Sequence, residues 1–266
     1  MTLTANSALY LALALYGAGT VVALLSLFTR ELRTQRAALA VMLLGFVSHT
    51  IWIGGICVRT GHPPLTNLPE TAAFTSWTLF AVELILFIRY RVQAASFFVY
   101  PLVLGLLMLA AIVREPFAML DPSLRSGLFI AHLFLSSIGV AGLLIGIAFT
   151  MLSYAQDRSL KSKTRGRLWD LIPSLTVCRD ISYRALAIGF SLYTLGLLAG
   201  VIWSYRTTAE LMSPRAKEVA AVVAWFCFAA LLQSYVSGSY RARRTVIIAT
   251  AAFVAIVVAM LGIHHA

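Results

Sequence analysis

Charge is scarce in this chain, and acidic charge most of all. Only 12% of its 266 residues are charged, and Asp and Glu together number 10, where an ordinary soluble domain is roughly 25% charged. So few charges cannot cover the surface of a soluble enzyme of this size, and that class is excluded. Cysteine is equally sparse. Cys57, Cys178 and Cys227 stand far apart and form no CxxC, which excludes a zinc ribbon, a dithiol redox motif and a secreted disulfide scaffold. Neither HExxH nor GxSxG occurs. Ser48 and His49 are neighbours but point in different directions on a helix, so they are no hydrolase pair. The period-two alternation of a membrane barrel is missing. Residues 1–7 carry no basic cluster ahead of the first apolar run, so no cleavable signal peptide is expected.

What is present is hydrocarbon. Hydrophobic residues make up 60% of the chain and the mean hydropathy is +0.87. A spanning helix takes about 20 apolar residues, and eight such stretches can be marked: 8–28, 37–58, 71–88, 94–113, 127–152, 183–203, 217–236 and 245–263. Helices satisfy their own backbone hydrogen bonds in lipid. The expectation is an all-α, polytopic membrane bundle of about eight helices, forming one domain over 1–266.

The net charge of +11 is a matter of topology. Arg30, Arg33, Arg36, Arg89, Arg91, Arg158, Lys161, Lys163, Arg165, Arg167, Arg179, Arg184, Arg241, Arg243 and Arg244 fall in alternate loops, 15 of the 21 basic residues. Arg59, Arg114, Arg125, Arg206, Arg215 and Lys217 fall on the other side, balanced largely by Glu70, Glu115, Asp121, Glu210 and Glu218. The positive-inside rule then places both termini outside a bacterial-type plasma (inner) membrane. It also makes 153–182 a cytoplasmic basic loop against anionic headgroups and 204–216 an outer loop. The lipid bilayer absorbs the basic excess, so nucleic acid is not a partner.

Five histidines carry most of the chemical potential. His62 lies in the second loop, and His49 near the middle of the second span. His132 lies just inside the outer end of the fifth span, and His264 and His265 close the eighth. His132 and the His264/His265 pair therefore reach the same level of the membrane. Steps of 4, 7, 14 and 18 from His132 give Ser136, Gly139, Gly146 and Thr150, a small and polar face that should point into the bundle. Two roles fit His132: a hydrogen bond to a carbonyl of a neighbouring helix, or ligation. Two opposed imidazoles at a bundle mouth suit haem iron, whereas a bare metal would want three or four ligands. Gly142/Gly146 and Gly196/Gly200 are GxxxG pairs that permit close helix approach. Glu83 is expected to pair with Arg89, Arg91 or another helix. Asn67 and Glu70 have capping-box spacing, with Pro69 in the first turn.

Three stretches resemble a known family. Residues 61–77, GHPPLTNLPETAAFTSW, are similar to the loop-and-helix signature of the cytochrome c assembly family of CcsA, CcmC and HemX type. Residues 129–146, FIAHLFLSSIGVAGLLIG, resemble its span that begins with an external histidine. Residues 172–203, IPSLTVCRDISYRALAIGFSLYTLGLLAGVIW, resemble its L-P-S-L to G-x-I-W segment. The match extends over about 40–264. The resemblance implies a bundle that presents haem at its outer face, without catalysis of its own, to an apocytochrome c or a partner assembly subunit. By position it makes His132 and His264 the axial ligands, with His265 as the alternative to His264 and His49 as a histidine of the second span. It makes Trp203 and Trp225 the flanks of a tryptophan-rich loop. Lys217, Arg215 or Arg206 of the outer loop could then pair with haem propionates, charge to charge. The loop between those flanks holds no further tryptophan, which implies weak or transient haem binding. The alternative is a HemX-like regulator of a haem-synthesis enzyme that holds no haem; a small-molecule permease ranks lower.

The topology yields a direct expectation. A protease added to inverted membrane vesicles should cleave within 153–182, and the same protease added to intact spheroplasts should leave that segment whole; cleavage from the outer side would reverse the orientation.

Overall fold

A helix that must satisfy its backbone in lipid can run past the apolar stretch that marks it, and several of these do. The computed structural model describes residues 2–29, 31–65, 67–90, 96–113, 126–162, 173–209, 216–237 and 242–261. Over these, eight helices follow one another: α1 Thr2–Thr29, α2 Leu32–Thr60, α3 Leu68–Tyr90, α4 Ser96–Ile112, α5 Gly127–Ser162, α6 Leu175–Thr208, α7 Ala216–Val236 and α8 Ala242–Leu261. No strand occurs among the described residues. Seven helices are long and apolar enough to cross a membrane, and α4 is a shorter apolar helix. Its 17 residues lie at the short end of what a span needs. Large apolar side chains such as Leu11, Phe28, Ile51, Val58, Ile188 and Phe226 face outward, as lipid-facing positions must. The protein is a polytopic helical membrane protein.

The expected loop 153–182 needs correction. α5 continues through Ser162 and α6 starts at Leu175. No glycine or proline interrupts the chain from 147 to 162. The Asp157–Lys161 pair, 2.7 Å apart at i,i+4, supports the added turns. Ser174 caps α6 by accepting from the Val177 amide at 3.4 Å. Hydropathy finds where a helix leaves lipid, not where the helix stops.

The chain divides into two compact units, 1–120 with 170–172, and 121–169 with 173–266. In the first, α1 packs on α2 and α4, and α3 on α4. Its interior holds Tyr16, Met42, Ile56, Leu79, Phe80 and Leu107, all at 0% exposure. Polar side chains tie helix to helix: the Ser48 hydroxyl donates to the Ala8 carbonyl at 2.8 Å, Ser76 to Val103 at 2.7 Å, and Trp77 Nε1 to Thr50 at 2.9 Å. Gly61, at φ 76°, closes α2 in the left-handed conformation, where a side chain would be strained. Asn67 caps α3: the Glu70 amide donates to Asn67 Oδ1 at 2.9 Å, and Asn67 Nδ2 reaches the Glu70 carboxylate at 3.5 Å. Glu83 is buried and accepts from the Ser96 hydroxyl of α4 at 2.9 Å. Its partner is thus on another helix, while Arg89 lies over the Tyr90 ring.

In the second unit α5 and α6 run antiparallel along a seam of small residues. An added Cβ would stand 2.6 Å from the Tyr193 amide at Gly139, 3.1 Å from the Gly189 Cα at Gly142 and 2.6 Å from Leu186 at Gly146, and would run into the Ser136 hydroxyl at Gly196. Steps of three or four residues forward on α5 meet equal or near-equal steps back on α6. At one end of the seam Thr150, Ser182 and Tyr235 of α7 form a triangle of hydroxyls with edges of 2.8, 3.0 and 2.9 Å. Higher up, the Tyr193 hydroxyl donates to the Ala221 carbonyl and Trp225 Nε1 to Thr194 at 2.9 Å, so α7 is tied to α6 at two heights. α8 packs on α7 and α5 through Ala249, Ala252, Ala255 and Ile256.

The seam sets a stability test. A Cβ at Gly189 would lie 2.8 Å from the Leu143 backbone nitrogen, whereas nothing lies within 4 Å of one at Gly105. Gly189→Leu should lower stability by about 1–3 kcal/mol or more, read as a reduced folded yield and melting point in detergent, and Gly105→Ala should be tolerated. Equal behaviour of the two would disprove the close approach.

Candidate functional site

His132 enters the second turn of α5, where the helix faces α6, and it is half-buried. Its Nδ1 lies 2.7 Å from the Gly196 carbonyl of α6. A carbonyl can only accept, so Nδ1 carries the proton and Nε2 keeps the lone pair. Gly200 makes this possible. A Cβ there would fall 2.6 Å from Nδ1, so any larger residue would push the imidazole off the carbonyl. Ser136, one turn on, places its hydroxyl 3.5 Å from the same nitrogen. Of the two roles considered for His132, the structure shows the hydrogen bond to a carbonyl of a neighbouring helix. That bond fixes the ring and its tautomer, with the proton on Nδ1.

Beside it, Trp203 of α6 stacks on Phe129 of α5 with ring centroids 4.8 Å apart. The Trp203 indole nitrogen is buried without a hydrogen-bond partner. Phe129 is one turn before His132 and Trp203 one turn after Gly200, so an aromatic pair and an imidazole share one end of the seam. Arg206 stands exposed on the last turns of α6. Lys217 is the second residue of α7. His264 and His265 lie outside the described residues. α8 packs against α5, and three further spans return the chain to the end at which α5 begins.

His49 is a separate feature, in the first unit. It is fully buried at 0% exposure, in the middle of α2. The Tyr16 hydroxyl lies 3.4 Å from its Nδ1, and Nε2 is buried without a partner. Aromatic rings surround it: Tyr16 at 5.9 Å edge-on and Trp52 at 5.8 Å, with Phe80 behind Tyr16 at 5.9 Å. An imidazole nitrogen left unpaired in such a place costs about 1–3 kcal/mol. His62 behaves differently: its Nδ1 lies 2.9 Å from the Pro63 carbonyl in the turn that follows α2.

Sequence reading gave a carbonyl of a neighbouring helix as one partner for His132, as the hydrogen-bond geometry bears out, but not which carbonyl, and it missed what lies against His49. Tyr16 is 33 residues from His49 on another helix, and no local pattern links the two. Gly196 and Gly200 were visible as a packing pair, without a sign that they seat a histidine. Among the described residues no group of three or more His, Cys, Asp or Glu comes together as a metal would require.

Comparison with known proteins adds a second line of observation. The sequence model of the family described as cytochrome C assembly protein matches residues 65–265. The cytochrome c biogenesis protein CcsA of Microcystis aeruginosa is 26% identical, over 80% of this chain and 79% of its own. The protein of the same name from Guillardia theta is 26% identical over 84% of this chain and 80% of its own. Among solved structures, the cytochrome c heme lyase CcmF has the same fold, with a TM-score of 0.75 over 97% of this chain at 18% identity. This chain spans only 46% of the length of that one.

Proposed function

The chain belongs to the cytochrome c assembly protein family, and on that premise we propose that it is a haem-handling membrane protein that holds and presents haem during cytochrome c assembly. The observation that carries the proposal is the His132 imidazole. Its proton is engaged by the Gly196 carbonyl, so its other nitrogen is ready to ligate. The residues present suit haem. An oriented imidazole, the Trp203–Phe129 aromatic pair and the cradle at Gly200 that a Cβ would fill are what an apolar ring with an axial ligand requires.

When bound, haem supplies the prosthetic group that a c-type cytochrome carries. The chain's own residues hold and orient it. His132 would hold the iron through Nε2, and His264, or His265, would supply a second imidazole. Trp203 and Phe129 offer apolar surface to the ring, and Arg206 and Lys217 pair with propionates. His49, with its buried unpartnered nitrogen, is a second ligand position within the first unit. The site lies at the outer face of the plasma membrane with both termini outside, as the distribution of Lys and Arg supports. An apocytochrome c or an assembly subunit is the partner. The regulatory, HemX-like role is not favoured, because the curated relatives quoted above are named for cytochrome c biogenesis.

The test is haem reconstitution in detergent, followed by a reduced-minus-oxidised spectrum. His132→Ala and the His264→Ala/His265→Ala double variant should each abolish a low-spin, six-coordinate signal. Gly200→Val should weaken it by about tenfold or more in affinity, because the ring loses its seat. A wild type without that signal at saturating haem, or variants that retain it, would overturn the ligand assignment.

A further inference from the structure

His49 is held by a device that spans two helices. Gly45 lies one turn before His49 on the same face of α2. A Cβ on Gly45 would stand 2.6 Å from Tyr16 Cδ1 and 2.8 Å from Tyr16 Cε1. The Tyr16 ring of α1 thus fills the notch that Gly45 leaves, and lies along α2 toward His49. From that seat its hydroxyl comes within 3.4 Å of Nδ1, with the two rings nearly perpendicular at 73°. The Ser48 hydroxyl, bonded to the Ala8 carbonyl at 2.8 Å, fixes α1 on α2 beside this contact. Tyr16 and His49 are both at 0% exposure, so water does not substitute for either.

We propose that Tyr16, seated against Gly45, is the positioning residue of His49: its phenol engages Nδ1 and leaves Nε2 as the nitrogen offered to a haem iron. The proposal rests on the reading of His49 as a haem ligand. It deepens that reading with residues that precede the segment matched by the family, which begins at residue 65. The choice of tyrosine has a physical reason. A phenol both donates and accepts. Without ligand, its O–H can donate to a bare Nδ1. With Nε2 given to a haem iron, the ring's single proton, on Nε2 while Nδ1 is bare, would sit on Nδ1 and donate to the phenol oxygen. The contact therefore survives the change of tautomer that ligation demands. A hydrogen bond at the distal ring nitrogen also raises the basicity of the ligating one. Phenylalanine would fill the notch equally well and do neither.

The experiment uses the full chain in detergent, with Tyr16→Phe, Gly45→Ala and His49→Ala. Two readouts are taken. Without haem, imidazole nitrogen NMR shifts report the tautomer of His49; Tyr16→Phe should redistribute it. With haemin titrated in, His49→Ala should lose the bound species assigned to that position. Tyr16→Phe should keep the bound species that His49→Ala loses, bind about tenfold more weakly, and shift its reduction midpoint upward because the ligand is less basic. Gly45→Ala should move in the same direction as Tyr16→Phe by displacing the ring. Unchanged nitrogen shifts in Tyr16→Phe would overturn the positioning role whatever haem does. Unchanged affinity and midpoint in Tyr16→Phe, with His49→Ala defective, would overturn it while leaving His49 a ligand. A His49→Ala variant that binds haem as the wild type does would overturn the ligand reading, and the positioning role with it.

Discussion

Absence of a Cβ at a few points along α5 and α6 is the constraint on which the second unit depends. Lipid offers no hydrophobic reason for two helices to associate, so they must gain from packing and from polar contacts between them. Both need close approach. Gly139, Gly142 and Gly146 on α5, and Gly189, Gly196 and Gly200 on α6, bring the backbones near enough for side chains to reach opposing carbonyls. The hydroxyl triangle at one end of the seam and the His132–Gly196 bond at the other depend on that spacing. A single alanine in the seam would therefore act at a distance, by opening the contact that holds a polar group two turns away.

Polar groups in a membrane bundle have to be given partners, and the partners chosen say what is left over. Ser76, Trp77 and Glu83 have theirs on neighbouring helices. His132 has Nδ1 engaged by a helix across the seam, and His49 has Nδ1 beside a phenol and Nε2 buried without a partner. At His132 the engaging group is a carbonyl, which sets the tautomer outright. At His49 it is a phenol, which permits either. That difference separates an imidazole with one fixed tautomer from one whose neighbour accepts either.

Much of the fold was legible because the bilayer simplifies the problem. Eight apolar runs gave eight helices in order, since only a helix satisfies an isolated segment in lipid. The Asn67–Glu70 cap was legible because it is local. What failed was the extent of helices in water: α5 runs ten residues past its apolar stretch, to Ser162, and hydropathy carries no signal there. Glu83 was left with two classes of partner, because charge counting favours the nearest arginines while burial against α4 favours Ser96.

By itself, the sequence determined the class of the protein, the number and order of its helices and the small, polar face on which His132 lies. These follow from composition and from periodicity within a single helix, which need no knowledge of neighbours. Only the tertiary structure decided what each histidine touches. The Gly196 carbonyl is 64 residues from His132 and the Tyr16 phenol 33 residues from His49. Each lies on another helix, and the rotation that aims it inward is set by which side chains interlock. A glycine reads the same in sequence whether it admits a leucine or an imidazole; the packed neighbour decides, and with it which nitrogen is left to work.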